Sequence, residues 1–204
     1  MQEMQDTDDE IREKYLERAI RELNQLGRDL QACDACAASK VMPVLGSGHP
    51  QADIFLLKYA PTVSEIEEGV AFYGRAGGAL TKSFKRLNID PLVVYGTVCA
   101  KCPVDHDGEC DPECLGKVAE EFAIVQPRIL VVMGDPALEV LNDLDLPLSR
   151  VVEPRPGEIQ ALTPSCDALF VPEIDDSLDE EGAKRDFWRA FRSLGLWYED
   201  LPPY

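Results

Sequence analysis

The sequence predicts an α/β protein built on a mostly parallel sheet with helices on both faces, and two patterns predict it. Short apolar runs bounded by Pro, Gly or Asp, at 53–59, 92–95 and 129–133, read as strands buried on both faces. The segments between them carry helical spacing, so strand and helix alternate as parallel pairing requires of its crossovers.

Taken in order, Ile11, Tyr15, Ala19, Leu23, Leu26 and Leu30 recur at three- and four-residue spacing. They predict a first helix over 8–33 with one apolar face. After the strand at 53–59 a helix over 79–87 follows a glycine pair, and the strand at 92–95 comes next. A helix over 112–125 precedes Pro127 and the strand at 129–133, and Pro136 suits the first turn of a helix over 136–144. Strands at 159–162 and 168–171 then lead to an acidic loop and a last helix over 181–194. No internal repeat or second domain is visible. The expectation is one domain over 1–204: an N-terminal helix to 32, a core over 33–171, and an acidic loop with a C-terminal helix over 172–204. Ligands of such sheets sit beyond the carboxyl ends of strands, which directs attention to the loops after Tyr59, Tyr95 and Leu162.

Charge and composition narrow the function classes. The chain has 204 residues and a formal charge of −18, from 38 acidic against 20 basic residues, a field that on average repels a phosphate backbone. The charge is uneven: between Gly74 and Val104, Arg75, Lys82, Lys85, Arg86 and Lys101 face a single acid, Asp90. No run approaches the roughly 20 consecutive apolar residues that span a bilayer, and the first ten residues are polar and acidic, so the expectation is a cytoplasmic protein with no membrane partner. Seven cysteines in a reducing compartment point to metal ligation or redox work rather than to a disulfide scaffold.

The cysteine spacing gives that idea shape. Cys33-Asp-Ala-Cys36 can turn two thiolates towards one metal, and Cys99, Cys102, Cys110 and Cys114 follow in a loop rich in Pro, Asp and Gly. Tetrahedral zinc held by Cys33, Cys36, Cys99 and Cys102 and a four-iron cluster on four thiolates are both compatible with the spacing. Cys166 reads as a buried apolar residue, and Cys110 admits the same reading.

Further along, Lys58-Tyr-Ala-Pro-Thr62 leads in fixed register to Gly69-Val-Ala-Phe-Tyr-Gly-Arg-Ala-Gly77, and Tyr95-Gly-Thr-Val-Cys-Ala-Lys-Cys-Pro103 follows. This order resembles the iron–sulfur uracil-DNA glycosylases of family four, with motifs G-E-A-P-G, G-x-P-F-V-G-x-A-G and N-V-V-K-C-R-P. The resemblance implies an α/β/α three-layer sandwich with a mostly parallel central sheet. It also implies a 4Fe-4S cluster on Cys33, Cys36, Cys102 and Cys114, with zinc as the alternative metal, and DNA as partner, single-stranded or damaged by preference.

The resemblance likewise assigns positions. Ala60, Phe72, Val98 and Ser165 fall on base-binding positions, and Tyr59 and Thr163 on catalytic ones, the late H-P-S motif being matched to Thr163-Pro-Ser165. Phe72 keeps the stacking ring. Val98 has no amide to read the uracil edge, Tyr59 is no carboxylate, and Thr163 cannot carry the charge of a histidine. His49 and His106 lie outside the motif, and His106 reads as a solvent-facing residue of the cysteine loop. The functional expectation is a diverged relative, tied to DNA repair, in which ordinary uracil excision is weak or lost. The alternatives are a glycosylase using Tyr59, Thr163, Ser165 or Lys58 as substitute groups, and an iron–sulfur binding or redox module with spare Cys99 and Cys110. Lys58 itself reads as a surface lysine at a strand end.

Overall fold

The computed structural model describes residues 2–33, 42–102 and 112–201, the side chains of 2–9, 112 and 113 excepted. Among them lie helices α1 (Gln2–Gln31), α2 (Val63–Glu68), α3 (Arg75–Arg86), α4 (Pro112–Val125), α5 (Asp135–Asp143), α6 (Ile174–Asp179) and α7 (Glu181–Glu199). Strands are β1 (Ser47–Gly48), β2 (Ile54–Lys58), β3 (Val94–Val98), β4 (Ile129–Met133), β5 (Ile159–Thr163) and β6 (Cys166–Val171). They form one sheet in the order β1-β3-β2-β4-β6-β5, in which β3, β2, β4 and β6 run parallel and the two edge strands antiparallel.

Every residue of β2, β3 and β4 is buried, which explains their unbroken apolar runs. Alternation sends Phe55, Leu57, Tyr95, Leu130 and Val132 into a core covered by α4, α5 and the second half of α1. The opposite face sends Ile54, Leu56, Val131 and Met133 against Ala76, Leu80 and Phe84 of α3 and Phe187, Phe191 and Leu194 of α7. The result is the three-layer sandwich expected from sequence.

Three expectations shift. The strand placed at 92–95 is β3, displaced because Pro91–Val93 make a 3-10 turn capped by the Asp90 carboxylate on the Leu92 N–H. The acidic loop after 171 contains α6, whose Ile174 and Ser177 are buried. The loop after Leu162 lies at the wrong end of the sheet for a ligand site, because β5 is antiparallel to β6 and its end, Thr163, pairs with Cys166 at the start of β6.

Candidate functional site

The carboxyl edge of the parallel strands is where β2 ends in Lys58, β3 in Val98, β4 in Met133 and β6 in Val171. Lys58 and Val98 are register neighbours and project to the α3 side. Val98 packs with Val44, Ala71 and Phe72, so the structure brings together two residues assigned to base binding.

Phe72 is held with unusual firmness. Its backbone adopts φ 59°, a left-handed conformation costly for a bulky residue, and its N–H donates to a carboxylate oxygen of Glu65. The ring lies so close to β3 that a Cβ on Gly96 would sit 2.6 Å from it, and a Cβ on Gly77 would sit 2.0 Å from the Phe72 carbonyl oxygen. Two glycines therefore make room for this one residue. Such strain persists only where the surrounding structure holds it, here through the Glu65 hydrogen bond and the two glycines.

The charge is Lys58, and it corrects the surface reading. Its side chain is 0% exposed, with Nζ 5.5 Å from the centroid of the Phe72 ring. Nζ donates to Glu65 Oε2 and to Asp175 Oδ2, each at 2.7 Å. Glu65 is itself fully buried and accepts from the Thr62 N–H at 2.6 Å and the Thr62 hydroxyl at 2.8 Å, a capping box at the start of α2. Glu173, between β6 and α6, caps the Ile174 N–H at 2.9 Å, and burial, reinforced by the Asp175 charge, pushes its carboxyl up to about 7. Lys58 opposes that rise.

The remaining assigned residues are dispersed. Tyr59 points to the other face and packs on the core beneath α4 and α5, as strand alternation dictates. Ala60 sits half-buried in the turn after β2. Thr163 and Ser165 are corrected: they flank the β5–β6 turn, five residues of β6 or roughly 16 Å from the carboxyl edge. The residues that reach the site from the last parallel strand are instead Val171, Pro172, Glu173 and, from α6, Asp175. Val171 brings no imidazole. The sequence reading missed the Lys58–Glu65–Asp175 assembly and Glu173. The signals were a lysine in place of a motif glycine, and an acidic pair just after an apolar strand.

Among the described residues, Cys33 and Cys114 lie at the ends of α1 and α4 that approach each other. These helices pack antiparallel, residues 15–22 of α1 lying beside 123–126 and residues 20–31 beside Glu121, so Cys33 comes off α1 towards the start of α4, where Cys114 is buried. Cys99, next to Val98, senses the Cys114 charge. Cys102 follows three residues later and is disulfide-bonded. Cys36, His106 and Cys110 lie outside the described residues. Among the described residues no group of three or more His, Cys, Asp or Glu side chains is assembled as a metal site. Cys99 and Cys166 are core residues whose thiols burial pushes up to about 12, which suits apolar packing.

In open parallel sheets of this kind, ligand sites lie beyond the carboxyl ends of the strands, where Phe72, Lys58 and Glu173 come together here. The chain belongs to the uracil DNA glycosylase superfamily, whose family model matches residues 45–190. It is similar to the Type-4 uracil-DNA glycosylase of Sulfurisphaera tokodaii, 30% identical over 119 residues, covering 55% of this chain and 54% of that protein. It is also similar to the Type-4 uracil-DNA glycosylase of Archaeoglobus fulgidus, 25% identical over 139 residues, covering 65% of this chain and 70% of that protein. The chain thus spans about half the length of the first relative. Among the described residues no helix is long and apolar enough to cross a membrane.

Proposed function

We propose that this protein is a diverged, iron–sulfur uracil-DNA glycosylase-like protein, tied to DNA repair, that engages DNA and excises uracil weakly or not at all. The observation that carries the proposal is Lys58. A flipped base must lie against an aromatic ring and have its edge read by hydrogen bonds. Here the ring of Phe72 is approached by a buried ammonium clamped between Glu65 and Asp175, and the neighbouring strand end is the apolar Val98. Seating a base there would require moving a cation out of two ion pairs at 2.7 Å, and no histidine follows β6 to stabilise the departing base. DNA as partner is supported by family membership and by the names of the two relatives.

The chemistry of the donor set suits a four-thiolate centre with Cys102 reduced: Cys33 follows α1, Cys114 lies in the first turn of α4, and Cys102 follows β3. Cys33, Cys36, Cys102 and Cys114 would hold the cluster. Bound there, it would clamp the three segments and lend soft sulfur ligation with local positive charge. A second reading, glycosylase activity with substituted groups, is favoured by Glu173, whose carboxyl at about 7 suits a proton donor or acceptor near neutral pH.

The test combines metal analysis of anaerobically purified protein with uracil release from single-stranded DNA. Four irons per chain and no release are expected. Lys58→Gly, which removes the ammonium beside Phe72 and leaves its ring for a base to stack on, should then tighten binding to uracil-containing single-stranded DNA by about tenfold, the worth of one base–aromatic stack. Release by the native protein, abolished in Glu173→Gln, would install the second reading. Zinc without iron would replace the cluster assignment.

A further inference from the structure

On the α3 side of the sheet a groove of about 700 Å³ runs between α3 and the α6–α7 segment, and its lining includes Ile174, which lies between Glu173 and Asp175 of the strand-edge site. Its floor is apolar, with Leu178, Phe187 and Trp188, and its walls carry five cationic residues; Arg75 is paired with Asp179 at 2.6 Å and Lys184 with Glu181 at 3.4 Å, so the groove's charge rests chiefly on Lys82, Arg86 and Arg185. In a chain of net charge −18 this is the exception, and its electrostatic complement is the rest of the protein's own surface.

The other half of an interface is also present. The apolar stripe of α1 buries Ala19, Leu26 and Leu30, yet the same stripe continues N-terminally through Ile11 and Tyr15, which are 45% and 60% exposed. That stretch is acidic: residues 6–17 hold six acids and two bases. An amphipathic helix with apolar anchors four residues apart is the shape an apolar-floored groove accepts, and its acidic flanks would meet the basic walls. The helix cannot reach the groove of its own chain, because α1 packs against α4 on the opposite face of the sheet.

We propose that the groove between α3 and α7 is the docking site for the acidic first half of α1 of a second copy of this chain. The contact is head-to-tail, since donor and acceptor are different patches, so it propagates into a ring or an open chain. None of Lys58, Glu65, Phe72, Glu173 and Asp175 lines the groove.

Light scattering or sedimentation of the full-length protein over a range of concentrations tests it. The mass should exceed one chain, rise with concentration, and return to one chain between about 0.05 M and about 1 M salt, as exposed charge pairs are screened. Ile11→Asp with Tyr15→Asp destroys the donor, and Lys82→Glu with Arg86→Glu destroys the acceptor; each variant should be monomeric with a native circular dichroism spectrum. Mixing the two should restore a one-to-one dimer, because one keeps its groove and the other its helix. A native protein that stays monomeric at every concentration, or an association that survives both variants, overturns the proposal. So does a monomer whose single-stranded DNA binding is lost in the groove variant, which would make the groove a nucleic-acid path.

Discussion

Among the described residues two lysines, Lys58 and Lys101, are fully buried, and they occupy different worlds. Lys101 lies beyond β3 and donates to Glu121 Oε2 at 2.5 Å and to the Thr97 hydroxyl, while Glu121 also accepts from the Tyr95 hydroxyl at 3.0 Å. Burial, with the Glu121 charge second, drives the Tyr95 phenol far above its ordinary range. Everything in that cluster is inside, tying the sheet to α4 one residue before Cys102. Lys58, by contrast, ties the end of β2 to α2 and α6, and one of its partners, Asp175, is 30% exposed. A sealed ion pair that braces a fold and an ion pair at the mouth of a site are distinguished by where their partners can go when the lysine is removed.

That difference orders the expected effects. Lys101→Met should be the most damaging, lowering unfolding stability by about 3–5 kcal/mol in urea titrations, because Glu121 is stranded in the core with only hydroxyl partners. Lys58→Met should cost less, about 1–3 kcal/mol: Glu65 keeps the Thr62 and Phe72 donors, and Asp175 can turn to water. Equal losses would mean that the strand-edge cluster is as structural as the other one.

Glu173→Gln sharpens the contrast through pH. The folded carboxyl titrates at about 7 against an ordinary 4.5, so the folded chain holds a proton that the unfolded chain releases, and native stability should fall as pH rises through that window. The variant should lose this decline and be the more stable protein at pH 8; parallel stability profiles for the two proteins would refute the burial of Glu173. The smallest effect belongs to Arg75→Ala, whose partner Asp179 is as exposed as the arginine itself, and whose denaturation midpoint should match the native one.

Much of the fold was legible in the chain, because fully buried parallel strands and amphipathic helices write their burial into local periodicity. The antiparallel β5 was not. Its five residues look like any short strand, and only pairing with β6 reveals that Thr163 and Ser165 face away from the site. The motif frame placed Phe72 and Val98 together, whereas Lys58 looked like an exposed strand end because its two carboxylate partners lie 7 and 117 residues away.

By itself, then, the sequence determined the alternation of strand and helix, the stacking phenylalanine, the candidate thiolates and the family frame, all carried by short-range spacing. Only the tertiary structure decided that Lys58 is buried across Phe72, that Glu173 and Asp175 rather than Thr163 come to the site, and that a basic groove opens between α3 and α7. Those outcomes depend on strand direction and on contacts between distant segments, where burial sets the cost of a charge and no local pattern records it.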